Sequence, residues 1–322
     1  MKTVLVTGGA GFIGSSFIKY ILKKHTDWKI INLDALTYAG NLFNLKEVET
    51  NPNYTFVHGN ICDETIVADL VRQCDYIVNF AAETHVDRSI DSSKVFIETN
   101  VLGTQNLLEA ARRNKIERFL QISTDEVYGS IEGDGYFYET TPLAPNSPYS
   151  ASKASADMLA LAYYKTYGLP VVITRCSNNY GENQYPEKLI PHFISRLLKG
   201  ENVPVYGDGL NVRDWLYVYD HCSAIETVLT TGTIGEVYNI GGHCEKTNIE
   251  ITHLILDYMG YDSSRIEYIE DRLGHDRRYA ISNDKIRTEL GWTPSVKFEN
   301  AIRQTIQWYL DNSEFLNIKK EA

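Results

Sequence analysis

Short apolar runs separated by polar turns set the rhythm of this chain. Val4-Leu5-Val6, Lys29-Ile30-Ile31-Asn32-Leu33, Tyr54-Thr55-Phe56-Val57-His58, Asp75-Tyr76-Ile77-Val78-Asn79, Arg118-Phe119-Leu120-Gln121-Ile122 and Val171-Val172-Ile173-Thr174-Arg175 each predict a sheet strand. Between them the apolar period changes to that of a helix. Phe12, Ile13, Phe17, Ile18, Ile21 and Leu22 recur in this way through His25, and further helices are predicted at about 64–72, 93–114 and 149–167. Such alternation implies an α/β fold: a doubly wound parallel sheet with helices on both faces. Beyond Arg175 the pattern loosens, and Pro186, Pro191, Pro204, Gly207 and Gly209 break it into loops and small elements. Glu236-Val237-Tyr238-Asn239-Ile240 predicts a strand that returns to the main body. Short helices and a strand near Ile266 follow.

The first strand stops abruptly at Thr7-Gly8-Gly9-Ala10-Gly11-Phe12-Ile13-Gly14, and a helix begins there. In a strand–turn–helix context, glycines serve a tight turn, close backbone approach to a pyrophosphate, and helix–sheet packing. The helix N-terminus then faces negative phosphates. Asp34 closes the second strand, where a carboxylate binds a ribose diol and repels a 2′-phosphate, favouring NAD over NADP; a solvated loop aspartate is the alternative. Small residues at Ala81 and Ala82 let a cofactor lie close to the backbone.

Ser123-Thr124-Asp125-Glu126-Val127-Tyr128-Gly129 follows a predicted strand. Adjacent carboxylates are poor core material, since a buried charge is costly unless paired. Strand carboxyl ends are, however, where doubly wound sheets bind ligands, and a hydroxyl, an acid and a base there can handle two protons. A capped helix start explains the same residues without chemistry. Tyr149 and Lys153 stand four apart on one predicted helix, so their side chains share a face. An ammonium beside a phenol lowers the phenol's pKa and makes it usable near neutrality, although the bare spacing is also common on amphipathic helices.

Composition narrows the classes. The chain has 322 residues, 43% hydrophobic and 23% charged, enough for one large or two closely joined domains. A net charge of −11 argues against a general nucleic-acid surface and leaves room for a local basic pocket, for which Arg213, Arg272, His275, Arg277 and Arg278 are candidates; a solvated basic face is the alternative. No run approaches the ~18 apolar residues of a membrane span. The chain enters its first strand at once, which leaves no room for a signal peptide. Five scattered cysteines without C-x-x-C spacing fit reduced thiols in a cytoplasmic protein and no metal site.

The glycine loop together with Tyr149-x-x-x-Lys153 resembles the extended short-chain dehydrogenase/reductase family over essentially the whole chain. Within it, residues 123–129, Ala81-Ala82-Glu83-Thr84-His85-Val86-Asp87-Arg88-Ser89, Arg175-Cys176-Ser177-Asn178-Asn179-Tyr180-Gly181 and Asp271–Tyr279 are similar to the dTDP-glucose 4,6-dehydratase branch. The resemblance implies a Rossmann-type NAD-binding domain over 1–176, to which 213–241 returns. A smaller, mostly C-terminal α/β domain over 177–322 would hold the nucleotide sugar. It implies catalytic roles for Thr124, Asp125, Glu126, Tyr149 and Lys153. Contacts to NAD fall to Gly8, Gly11, Phe12, Ile13, Gly14, Asp34, Asn60, Ile61, Ala81, Ala82, Asn100, Tyr149, Lys153 and Asn178. Substrate contacts fall to Thr84, His85, Thr124, Asn179, Lys188, Leu189, Pro204, Tyr206, Arg213, Asn248, Arg272 and His275. Three positions depart from the usual pattern: Asn60 for aspartate near the adenine, Thr84 for serine near the sugar, and Leu273 for proline.

The expected reaction is conversion of dTDP-glucose to the 4-keto-6-deoxy sugar with tightly held NAD, by a homodimer joined through the helices at 93–114 and 149–167. A UDP-sugar 4,6-dehydratase or a 4-epimerase of the same family, and a non-catalytic NAD-binding protein, are the alternatives. The chemistry makes two demands. Asp125 must hold a proton near neutrality, and the backbone at Asp125-Glu126 must already be turning, because successive strand side chains point to opposite faces.

Overall fold

Seven strands, all paired in parallel, form the central sheet of the computed structural model, which describes residues 1–131, 133–271 and 273–317. In chain order its first half runs β1 (Thr3–Thr7), α1 (Phe12–Lys24), β2 (Lys29–Asp34), β3 (Tyr54–His58), α2 (Glu64–Val71), β4 (Tyr76–Asn79) and α3 (Val86–Asp91). Next come α4 (Lys94–Phe96), a π-helical stretch at Ile97–Gly103, α5 (Thr104–Asn114), β5 (Arg118–Thr124), α6 (Pro148–Tyr167) and β6 (Val171–Cys176). The apolar runs become strands because both sheet faces are covered. Val4 and Val6 pack into one hydrophobic layer while Leu5, between them, packs into the other.

The remaining elements are β7 (Asn178–Tyr180), α7 (Leu189–Leu198), β8 (Val203–Tyr206), β9 (Val212–Tyr217), α8 (Val218–Thr231), β10 (Val237–Ile240), β11 (Glu245–Thr247), α9 (Asn248–Met259), β12 (Ile266–Ile269), α10 (Asp284–Leu290) and α11 (Phe298–Asp311). The main sheet runs β10-β6-β5-β4-β1-β2-β3, so the strand order reverses between β1 and β4. That reversal opens a crevice at the carboxyl ends of the strands. Beneath it lies a buried polar ladder: Thr7 Oγ1 donates to Asn79 Oδ1 at 2.6 Å, and Asn79 Nδ2 donates to Gln121 Oε1 at 2.9 Å. Each slot in this apolar sheet leaves a polar group unpaired if a strand slips, so the ladder fixes register directly under the site.

Two small sheets complete the fold, β11-β9-β7 and β12-β8. The long helix expected at 93–114 is interrupted by the π-helical stretch. There buried Asn100 accepts from the Glu83 backbone N–H at 2.8 Å and donates to Ser152 Oγ at 2.8 Å. Those bonds tie the end of β4 to α6 through one side chain, which a regular α-helical period does not reveal. Within 213–241, α8 packs on α1 and β6, and β10 joins the main sheet; β9 pairs instead with β7 and β11.

Candidate active site

One cleft at the strand carboxyl ends brings together the glycine loop, Asp34, Asn60, Ile61, Ala81, Ala82, Thr84, Thr124, Asp125, Glu126, Tyr149, Lys153, Asn178, Asn179 and Lys188. Gly8, Gly11, Phe12, Ile13 and Gly14 form its first wall. Gly8 has φ +69°, and a Cβ there meets Ala81 Cα at 2.7 Å; a Cβ on Gly14 meets the Gly8 carbonyl oxygen at 2.4 Å. Bare backbone is therefore needed at both. Gly11 caps α1 without a side-chain hydrogen bond, and the first turn of α1 carries no acidic residue. The positive end of the helix dipole is thus left for an anion. Asp34, at the end of β2, accepts from the backbone N–H of Ala10 at 2.8 Å and of Leu36 at 2.7 Å, which fixes its carboxylate at the cleft wall. These residues fit a dinucleotide.

At the other end, β5 stops at Thr124 and the chain turns at once into a 3₁₀ helix, Asp125–Tyr128. Thr124 Oγ1 caps that turn, accepting from the Glu126 N–H at 3.3 Å. The turn removes the alternation of a strand, so Asp125 and Glu126 both line the cleft. Asp125 is 1% exposed. Burial, then the charge of Glu126, then that of Asp214, raise its pKa well above the ordinary carboxylate range, against a smaller opposite effect of Arg213. Its environment favours the protonated carboxyl over the carboxylate.

Tyr149 and Lys153 share the cleft, as their spacing predicts, but not the protonation expected of them. Lys153 Nζ donates to the Ile122 carbonyl at 2.7 Å. Burial and the charge of Glu126 raise the Tyr149 hydroxyl well above its usual range. Both effects favour the neutral phenol over the phenolate, opposite in direction to the lowering expected from Lys153. Burial also lowers the Lys153 pKa, opposed by the carboxylate of Asp157.

Other expected site residues sit around this cleft and do not line it. Asn100 lies behind the wall, as described above. His85 caps α3, with Nε2 3.7 Å from Glu187 Oε2. Leu189 is the first residue of α7 and packs against the core. A second group lies on the smaller sheets. Pro204 and Tyr206 belong to β8, and the Tyr206 and His275 rings are 6.1 Å apart. Arg213 donates to the Asp276 carbonyl at 3.0 Å and lies over the Tyr279 ring at 4.5 Å. The Asn248 N–H donates to the Asn211 carbonyl at 3.0 Å as α9 begins. Arg213 acts on Asp125, and Glu126 on Tyr279, so Arg213 and Tyr279 lie near the turn at Asp125-Glu126. Arg272 lies outside the described residues. Tyr38, Glu83, Tyr185 and Glu187 line the cleft without having been expected there. Each stands within four residues of an expected site residue, and Glu83 lies inside the Ala81–Ser89 motif.

A family model described as GDP-mannose 4,6 dehydratase matches residues 5–305. A dTDP-glucose 4,6-dehydratase from Actinoplanes sp. is 52% identical over 96% of this chain and 98% of its own. The chain belongs to the dTDP-glucose 4,6-dehydratase family. A low-salt glycan biosynthesis protein, Agl12, from Haloferax volcanii is 55% identical over 97% of this chain and 99% of its own. Among solved structures, DesIV from Streptomyces venezuelae, a dTDP-glucose 4,6-dehydratase with NAD and TYD bound, superposes with TM-score 0.95 at 51% identity. That match covers 97% of this chain and 98% of DesIV. In this chain the glycine loop and the turn at Asp125-Glu126 line one cleft.

Proposed function

We propose that this protein converts dTDP-glucose to dTDP-4-keto-6-deoxyglucose and water, using enzyme-bound NAD. The carrying observation is the joint placement of buried Asp125, whose pKa is raised, with Glu126 and Tyr149 on one cleft. NAD, when bound, would supply a hydride acceptor for C4 and a hydride donor for C6. Gly8, Gly11, Ile13 and Gly14 hold its pyrophosphate, and Asp34 its adenosine ribose.

Tyr149, acting as the phenolate, takes the proton of the C4 hydroxyl, and Thr124 hydrogen-bonds the oxygen at C4. The resulting ketone acidifies the hydrogen at C5, which Glu126 removes. Asp125 gives its proton to the C6 hydroxyl, which departs as water, and a proton is later returned to C5. The raised pKa of Asp125 is what this step requires of an acid at neutral pH. A 4-epimerase expels no water and has no use for such an acid, and a protein that merely binds NAD has no use for the pair. Turnover in deuterated water tests the reading: the product carries a 6-methyl group and deuterium at C5. A product retaining protium at C5 contradicts it.

In this reading 1–176, with the returning segment 213–241, hold the dinucleotide, and 177–322 hold the nucleotide sugar. Pairing of β10 with β6 supports the return, while β9 brings Arg213 from the smaller sheet. The working form is a homodimer through the helices at 93–114 and 149–167. Ile90, Val95, Ile97, Leu102 and Met158 leave an apolar surface there. The cytoplasm is the proposed location: the five cysteines are unpaired, and no described helix is long and apolar enough to cross a membrane.

A further inference from the structure

The chain between Asp34 and Asn41 leaves β2, crosses the edge of the cleft and comes back to the glycine loop. Both feet rest on one residue: Ala10 N–H donates to Asp34 Oδ2 at 2.8 Å, and Asn41 N–H donates to the Ala10 carbonyl at 2.9 Å. Asn44 Nδ2 donates to the same carbonyl at 2.9 Å. Leu36 takes the left-handed conformation, φ +49°, to make the bend. At the crest stands Tyr38.

Tyr38 touches three separate parts of the molecule. Its hydroxyl lies 3.0 Å from Thr84 Oγ1, on the segment that follows β4. Arg88, on α3, places its guanidinium carbon 4.3 Å from the Tyr38 ring centre. From the segment after β7, the Tyr185 ring meets it edge-on at 5.6 Å and 88°, and Glu187 interacts with its hydroxyl. Thr84, Tyr185 and Glu187 line the same cleft as the glycine loop. A single side chain therefore joins the strap anchored on the glycine loop to the segment that carries Lys188.

The geometry points to a role for this contact that rests on the NAD reading above: we infer that Tyr38 and Tyr185 form a clasp that retains the dinucleotide between the first and last chemical steps. The reaction gives such a clasp a purpose. The hydride taken from C4 must return to C6 of the same sugar, so a dinucleotide that leaves midway ends the cycle with a lost reductant and an unfinished sugar. Passage in or out requires the strap to lift, and lifting it breaks an edge-to-face aromatic pair, a cation–π contact and hydroxyl contacts together. These are positioning residues, since they act on retention and not on the reacting atoms.

The test is the dissociation rate of NADH from purified full-length protein, followed by the loss of bound-NADH fluorescence when excess NAD is added. Tyr38→Ala is expected to speed release roughly tenfold or more, and Tyr185→Ala to do so in the same direction by a smaller factor. Tyr38→Phe keeps the ring contacts and loses the hydroxyl, so a few-fold effect is expected. Thermal melts confirm folding, and if Tyr38→Ala does not fold, Tyr185→Ala alone decides. Wild-type protein that binds NADH, with all three variants releasing it at the wild-type rate, overturns the clasp and leaves the cofactor reading standing. Wild-type protein that binds neither NAD nor NADH overturns both.

Discussion

Arg175 and Asp157 form a buried ion pair, Nε to Oδ2, at 2.9 Å. The pair joins β6 to α6, the helix that carries Tyr149 and Lys153 on the preceding turns. Arg175 Nη1 also donates to the Tyr128 hydroxyl at 2.9 Å, and Tyr128 donates to Asn239 Oδ1 at 2.8 Å. Tyr128 closes the 3₁₀ turn of Asp125 and Glu126. One guanidinium thereby sets the distance between the two carriers of the chemistry. Removing Asp157 alone leaves a buried, unpaired cation, so Asp157→Ala is expected to cost about 3–5 kcal/mol in urea unfolding. Replacing both partners by apolar residues of similar volume costs less than that single change.

Asp125 makes stability fall as pH rises. Its folded pKa lies above its unfolded value, so near neutrality the folded state binds more protons than the unfolded one. The stability it contributes is fully present below the ordinary aspartate range and is lost as pH climbs toward the raised folded value. Asp214 and Glu83, also raised by burial, act with the same sign. Asp125→Asn should flatten the fall, as read from unfolding free energies measured between pH 4 and 9. An unchanged slope contradicts a protonated Asp125.

Asp125→Asn with Glu126→Gln separates elimination from oxidation. Loss of positioned acid and base slows a proton-transfer step by roughly 10²–10⁴-fold. Formation of the 6-methyl product in that double variant should drop by this order. Oxidation at C4, which draws on Tyr149 and Thr124, should fall far less in rapid-quench analysis. Equal losses in both steps place the pair outside the elimination.

Asp34→Asn removes a carboxylate that already holds two backbone N–H groups. Weaker NAD binding, by about tenfold or more, is expected from loss of charge-assisted hydrogen bonds. Discrimination against NADP should shrink at the same time, since the repulsion of a 2′-phosphate goes with the charge. Titration with both dinucleotides reads the two effects separately.

Local sequence carried the features that local physics decides. All seven strands of the main sheet follow from short apolar runs in the sequence, and the glycine loop from its strand–turn–helix context. The turn at Asp125 was a requirement of the chemistry before it was an observation. What stayed hidden depends on residues far apart in the chain. Asn100 interrupts a helix to reach Glu83 and Ser152, and no helical period records such a partner. Tyr38 reads as an ordinary loop tyrosine until Thr84, Arg88 and Tyr185 are placed around it. The Tyr149–Lys153 spacing gave proximity but not protonation, which is set by burial and by Glu126 from another element. Strands β7, β8, β9 and β11 are three to six residues long and lie where prolines and glycines erase periodicity.

The central claim is best tested by incubating the purified protein with dTDP-glucose and, separately, with UDP-glucose, without added NAD, and following the sugars by NMR. The account predicts a 4-keto, 6-methyl product from dTDP-glucose and little or none from UDP-glucose. Absence of that product from dTDP-glucose, even once NAD is supplied, would contradict it.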